Sequence, residues 1–335
     1  MTLTQTLLKL VSVLIIPGIV LSYPDQTQIP LSLVSSSKNG LNESETNIRP
    51  LVLWHGLGDS YASPGMLEFA DLLKEVHPGL FVHSIYIEEN LDADQRAGFF
   101  GNVDAQLELV AEQLANVKEL SQGFDAIGFS QGGQFLRAYV ERYNNPPINN
   151  LLTFGSQHMG ISDLPLCRPT DLMCQLARRA ARVGVYTNYA QNNLVQAQYF
   201  RNPDQLDKYL EVNKFLTSIN NEIPETVNKT YAQNLISLNN LVLILFSDDK
   251  TVVPKESSWF GSYAASEGDA NDKNIIPMKL QPTYLADTFG LRTLDERGGV
   301  SLEICQGEHM QFYFFSVFVN CRYLCLFFVS FNEHV

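Results

Sequence analysis

Basic side chains are scarce in this chain. Across 335 residues, 23 Lys and Arg stand against 36 Asp and Glu, a net charge of −13. That balance argues against nucleic acid as a partner, because phosphate recognition needs clustered Lys and Arg. It carries no information about the fold. Cysteine is sparse too, at five residues. An odd count leaves at least one without an intrachain partner, and no Cys/His spacing matches a zinc site, so no metal is expected. The first apolar stretch, Leu10 to Leu21 after Lys9, is too short for a comfortable membrane span. With Val20-Leu21-Ser22 ahead of Tyr23, residues 1–22 read instead as a secretory signal peptide. Internal repeats are absent. Residues 23–48, rich in Ser, Asn, Thr and Gln, read as a flexible leader.

Export sets how the cysteines and sequons are read. Cys167 and Cys174 flank a short loop and are disulfide candidates in an oxidising compartment. Cys305 falls in an apolar stretch and reads as a small buried hydrophobe. Asn42-Glu43-Ser44 and Asn228-Lys229-Thr230 are glycosylation sequons, which makes Asn42 and Asn228 candidate acceptors.

The chain is 45% apolar, enough to bury a substantial core. From Leu51 onward strand-like runs alternate with helical spacing. Pro50 to Trp54 ends at the Gly-rich His55-Gly56-Leu57-Gly58-Asp59-Ser60; Phe81 to Ile87, Leu151 to Gly155 and Val300 to Cys305 also read as strands. Leu241 to Phe246 is uninterruptedly apolar, as a central parallel strand covered on both faces requires. Such alternation predicts an α/β fold, a mostly parallel central sheet with helices on both faces. Residues 157–238 interrupt the rhythm with helical segments at Met173 to Val183 and Leu206 to Ile219, and read as a helical insertion over the strand ends. Its aromatics, Tyr186, Tyr189, Tyr199, Phe200, Tyr209 and Phe215, suit either a lipid groove or packing onto the sheet.

The densest signal is Gly128-Phe129-Ser130-Gln131-Gly132-Gly133, directly after the apolar run Phe124 to Ile127. Helical spacing precedes it, at Val103, Leu107, Val110, Leu114, Val117 and Leu120. It resumes at Phe135, Leu136, Tyr139 and Val140. A Gly-x-Ser-x-Gly between strand and helix is the nucleophile elbow of the α/β-hydrolase fold, where a Cβ at either glycine would crowd a neighbouring element.

A serine hydroxyl is a poor nucleophile unless a base, itself oriented by a carboxylate, lies within hydrogen-bond reach. The chain order in this fold is Ser, then Asp or Glu, then His. His55, His77 and His83 precede Ser130, His158 precedes the late strands, and His334 is penultimate. His309, in the loop leaving the Val300–Cys305 run, is therefore the expected base. Asp248 and Asp249 both follow the Leu241–Phe246 run, and pattern alone does not separate them; Glu256, Asp287 and Asp295 are worse placed. Two backbone N–H groups are needed for the oxyanion, and Gln131 and Leu57 are the candidates.

Trp54-His55-Gly56-Leu57-Gly58-Asp59-Ser60, the stretch Gly128 to Ala138, Gln157-His158-x-Gly160 and Ser258-Trp259-Phe260-Gly261 together resemble the lysosomal-type palmitoyl-protein thioesterases, from about Pro50 to Phe312. The resemblance implies an α/β-hydrolase domain over residues 49–312 whose insertion at 157–238 binds the acyl chain. It implies hydrolysis of the thioester between long-chain fatty acyl groups and protein cysteine, without a cofactor. Expected partners are S-acylated proteins or peptides and fatty acyl thioesters. Nucleic acid is not among them, and membrane contact is compatible but not required. The implied location is the secretory pathway, in a lysosome or vacuole lumen or outside the cell. The family's acid aligns with Asp249, ahead of Lys250-Thr251-Val252-Val253-Pro254, and its short disulfide falls at Cys167 and Cys174. A lipase or carboxylesterase acting on oxygen esters, or a non-catalytic lipid-binding homologue, are the competing readings. Residues 313–335 depart from the pattern. The tail is apolar to Phe331 with Arg322 its only charge in that stretch, lacks the family's closing amphipathic helix, and reads as foreign to the fold.

Overall fold

Apolar runs at the predicted positions assemble into one sheet. The computed structural model describes residues 48–163, 184–265 and 274–311, together with positions 172, 175 and 176. Residues 1–47, Cys167, Cys174, most of 173–183 and the tail from 312 lie outside the described residues, and with them the expected signal peptide, Asn42 and the candidate disulfide.

The strands are β1 (Leu51–Trp54), β2 (Val82–Ser84), β3 (Phe124–Phe129), β4 (Ile148–Phe154), β5 (Asn240–Phe246) and, after a two-residue antiparallel pair β6 (Ser262–Tyr263) and β7 (Ile275–Ile276), β8 (Val300–Cys305). The central sheet runs β2-β1-β3-β4-β5-β8, and every neighbouring pair is parallel. Side chains alternate between its faces. Leu51, Leu53, Ile127, Phe129, Val242 and Ile244 join Met66, Ala70 and Leu73 of α1 (Pro64–Val76) in one apolar cluster. Val52, Trp54, Ala126, Leu241 and Leu243 join α3 (Val103–Asn116) and α4 (Gln131–Arg142) in the other, with α2 (Leu91–Ala97) lying between α1 and α3 in the chain. Both faces are thus covered, which is why β5 is buried from Leu241 to Phe246.

Three local readings differ from the sequence expectation. The strand expected from Phe81 to Ile87 stops at Ser84, because the Ile87 and Glu88 amides turn to Asp94 Oδ1 (2.7 and 3.3 Å) and leave the ladder. The helix expected from Leu206 to Ile219 is two, Leu206–Val212 and Phe215–Ile219. Asn213 divides them: its backbone is extended, and its Oδ1 accepts from Thr217 N, in the first turn of the second helix, at 3.1 Å. Cys305 is buried as expected but is disulfide-bonded, and no other cysteine lies among the described residues.

From Gln157 to Leu238 the described chain is helical and contributes no strand to the central sheet. Tyr199, Phe200, Tyr209 and Phe215 pack into the core there, whereas Tyr189 is 67% exposed. This segment is joined to α4 by a buried polar cluster. Arg137 is fully buried and donates to Glu141 Oε1 (2.9 Å), His158 Nδ1 (3.2 Å), His158 O (3.0 Å), Asn220 Oδ1 (3.0 Å) and Ile219 O (3.3 Å). Its guanidinium also lies 5.1 Å from the Phe260 ring centroid and 5.8 Å from that of Phe289. Because Arg137 donates to Nδ1, the His158 ring carries its proton on Nε2 and donates to Thr153 Oγ1 at 3.0 Å. Burial, then the Arg137 charge, hold His158 well below the usual range, so it is neutral.

Burial pushes the Glu141 carboxyl up to about 7, against the opposing pull of Arg137, and its Oε2 has no hydrogen-bond partner. A carboxyl raised in the fold binds its proton more tightly there than in the unfolded chain. Its contribution is therefore complete below the unfolded value near 4.5 and is lost as pH rises through about 7. Thermal denaturation should accordingly show the midpoint falling between pH 5 and 7. In Glu141→Gln, a neutral mimic that still accepts from Arg137, that slope should flatten; an unchanged slope would clear Glu141 of the effect.

Candidate active site

The order of strands places a switch point between β1 and β3. The chain moves from β1 outward to β2 and then returns to the other side of β1, so the loops after β1 and β3 diverge around a crevice. Ser130 stands at the C-terminal end of β3 with φ 50 and ψ −117, a left-handed conformation that costs a non-glycine residue about 1–3 kcal/mol. Two contacts hold it there. Ser130 N donates to Phe154 O at 2.7 Å, and the first turn of α4 packs closely against the end of β1. A Cβ on Gly132 would overlap the carbonyls of Trp54 and His55, and one on Gly128 the backbone of Gly133. The elbow glycines are thus fixed by contact.

His309 follows β8 and turns its ring back over the elbow. His309 Nε2 is 3.0 Å from Ser130 Oγ, and Nδ1 is 2.6 Å from Asp249 Oδ2. A carboxylate only accepts, so Nδ1 carries the proton and Nε2 is free to accept from the serine hydroxyl. The remaining oxygen of Asp249 is saturated: Oδ1 accepts from Thr251 N (2.8 Å) and Val252 N (3.0 Å). The turn therefore aims one oxygen at the imidazole and ties down the other. Asp248, its neighbour, points away and accepts from Ser247 Oγ at 3.2 Å. Asp287 accepts from Arg292 N and Thr293 Oγ1, and Asp295 from Tyr284 at 2.6 Å, so both are structural. The structure brings together Ser130, Asp249 and His309, residues separated by 179 and 60 positions.

Gln131 is the first residue of α4, so its N–H has no carbonyl one turn earlier to bond. The loop after β1 passes close by, for a Cβ on Gly56 would stand 3.3 Å from Ser130 Cβ. Leu57 N, in that loop, has no acceptor among the described residues.

Sequence spacing missed what supports this loop. Asp94 is fully buried and accepts from Tyr61 N (2.9 Å) and Ile87 N (2.7 Å), while its Oδ2 lies 3.1 Å from His55 Nε2. Burial alone would raise the Asp94 carboxyl, but the adjacent His55 ring and these amides outweigh it and hold it low. Gln95 Nε2 also donates to Gly58 O at 2.7 Å. No motif marks Asp94, because its partners come from two separate loops, those after β1 and β2. The Trp-Phe-Gly motif proves equally architectural: Phe260 stacks on His158 at 4.8 Å, and Trp259 Nε1 donates to Leu243 O at 2.9 Å. Asn228, an exposed sequon residue, caps helix Lys229–Ile236 through Thr230 N, and that bond occupies its Oδ1.

Gly155, at φ +55 after β4, lies directly under the imidazole. A Cβ there would stand 3.1 Å from His309 Nδ1 and Cε1 and 2.9 Å from Met310 Cε. Gly155→Ala should move the ring by a few tenths of an ångström and lower kcat by about 10- to 100-fold with KM little changed, since small misplacements at a reacting centre are costly. Steady-state kinetics giving parental kcat would show the ring position to be tolerant.

Comparison with known proteins identifies the family. The family model "Palmitoyl protein thioesterase" matches residues 50–309. Palmitoyl-protein thioesterase 1 of Caenorhabditis elegans is 41% identical over 263 residues, covering 78% of this chain and 86% of that protein. Palmitoyl-protein thioesterase 3 of Dictyostelium discoideum is 35% identical, covering 74% and 80%. Lysosomal thioesterase PPT2 of Bos taurus is 30% identical, covering 75% and 78%. With a family match spanning the whole of the described sheet and the loops that carry Ser130, Asp249 and His309, the chain belongs to the palmitoyl protein thioesterase family.

Proposed function

We propose that Ser130, His309 and Asp249 carry out the family's reaction in this chain, hydrolysis of the thioester between a long-chain fatty acyl group and a cysteine of a protein or peptide. The observation that carries this reading is the unbroken chain of contacts from Asp249 through His309 to Ser130, at 2.6 and 3.0 Å. Ser130 Oγ attacks the acyl carbonyl as its proton passes to His309 Nε2, and Asp249 steadies the imidazolium through Nδ1. The N–H groups of Leu57 and Gln131 receive the oxyanion. Collapse of the tetrahedral adduct releases the cysteine thiol, whose pKa of about 8.5 makes its thiolate a far better leaving group than an alkoxide. Water, deprotonated by His309, then frees the fatty acid from Ser130.

The substrate is therefore chosen by the acyl-binding surface and needs little help at the leaving group. We assign that surface to the segment between β4 and β5, which overlies the strand ends. Relatives named as lysosomal thioesterases support a lysosomal lumen as the site of action. No helix among the described residues is long and apolar enough to cross a membrane.

Ser130→Ala should abolish hydrolysis of a palmitoyl-cysteine peptide and labelling by a fluorophosphonate. Asp249→Asn should lower kcat by about 10⁴, the loss that follows a mis-set histidine tautomer, while Asp248→Asn should stay near the parent. Faster cleavage of a matched oxygen ester than of the thioester would favour a lipase or carboxylesterase instead.

A further inference from the structure

Tyr199 is 2% exposed and follows the short helix Val195–Gln198, in the segment between β4 and β5. Its hydroxyl donates to Gln131 Oε1 at 2.9 Å. A side chain from this segment thus reaches the residue next to the nucleophile. Its backbone carbonyl accepts from Ile161 N at 3.0 Å, which anchors Tyr199 to the loop after β4.

Around it, the stretch Val195–Tyr199 is fastened by polar bonds to the loop between α2 and α3. Gln196 Nε2 donates to Gly98 O (2.9 Å), Gln198 Nε2 to Gly101 O (2.9 Å), Val103 N to Gln198 Oε1 (2.9 Å) and Val195 N to Phe99 O (3.1 Å). That loop lies against the Leu57 loop in turn, since a Cβ on Gly98 would stand 3.6 Å from both Gly58 N and Gln131 Nε2. Three separate pieces of chain therefore meet at the Gln131 side chain, which is 5% exposed. Among the described residues, Tyr199 is its only hydrogen-bonded side-chain partner. Burial pushes the Tyr199 phenol up, against the opposing hydrogen bond from Gln196, so the hydroxyl keeps its proton and remains a donor.

The first amides of a helix have no internal acceptor, and their direction is set from outside the helix. Gln131 N belongs to this class. We propose that Tyr199 is a positioning residue for the hydrolysis: by holding the Gln131 side chain it fixes the first turn of α4, and with it the Gln131 N–H that faces the oxyanion. This rests on the reading of Ser130 as nucleophile and Gln131 as donor. It also gives the acyl-binding segment a direct mechanical hold on the catalytic centre.

The test is Tyr199→Phe in the full chain, which removes one hydroxyl and leaves the ring. With a palmitoyl-cysteine peptide, kcat should fall ~10-fold, short of the 10²–10³ lost when an oxyanion donor is removed outright. KM should stay within about twofold, as expected when an interaction is used only in the transition state. Affinity for a long-chain trifluoromethyl ketone, whose serine adduct carries an oxyanion, should fall by the same factor as kcat. A purely structural tyrosine would not link those two readouts. Gln131→Met cuts the same bond from the helix side and should show the same split, and it serves alone if Tyr199→Phe does not fold. The double variant should be no slower than the worse single one. Unchanged kcat and ketone affinity in Tyr199→Phe, or losses that multiply in the double variant, would overturn the role of Tyr199. Failure of a fluorophosphonate to modify Ser130 in the parent would overturn the underlying reading instead.

Discussion

Close approach of α4 to the sheet is the constraint on which the rest of the molecule depends. The helix begins one residue after Ser130, and its first turn lies so near β1 and β3 that only glycine fits at 128 and 132. That proximity holds Ser130 in a left-handed conformation and lifts its hydroxyl out of the strand end. Strain of this kind persists only where the surroundings over-determine it. Here the surroundings are the Phe154 carbonyl, the backbone of the loop after β1 and the packed face of α4. The same proximity sets the Gln131 amide beside the loop that carries Leu57.

Polar contacts then extend this rigidity outward. Arg137, two turns into the same helix, satisfies carbonyls and side chains from the loop after β4 and from Ile219 and Asn220. On the other side of the crevice, Asp94 gathers amides from the loops after β1 and β2. Neither group is favoured by burial for its own sake, because removing a charge from water is costly unless its partners are complete. What each provides is register: segments distant in sequence are held at a fixed separation. The glutamate beside Arg137 is the incomplete member, and acid conditions suit it best.

Much of this was legible in the chain. The strands β1 and β5 follow apolar runs almost residue for residue, because a parallel strand covered on both faces has no polar alternation to blur its ends. Ser130 and His309 were legible from the elbow and from chain order. Between Asp248 and Asp249 the residues alone left a tie, and the family resemblance favoured Asp249. The side-chain bond from His309 and the two backbone amides on Oδ1 now supply a physical ground for the same choice. Asn213 shows the opposite case. Helical spacing runs straight through it, yet its side chain bonds the first turn of the next helix where the run breaks, a competition between local hydrogen bonds that periodicity does not register. The insertion aromatics were likewise ambiguous, and burial resolves most of them as core.

By itself the sequence determined most of the central strands, the elbow around Ser130 and the chain order of the candidate serine, acid and histidine, since these depend on local spacing and backbone geometry. Tertiary structure alone decided which groups meet: Asp94 with His55, Tyr199 with Gln131, Gly155 beneath the imidazole. Those pairings join residues brought close by crossovers of the sheet, and the distance between two loops is a property of how the strands are ordered, which no window of sequence contains.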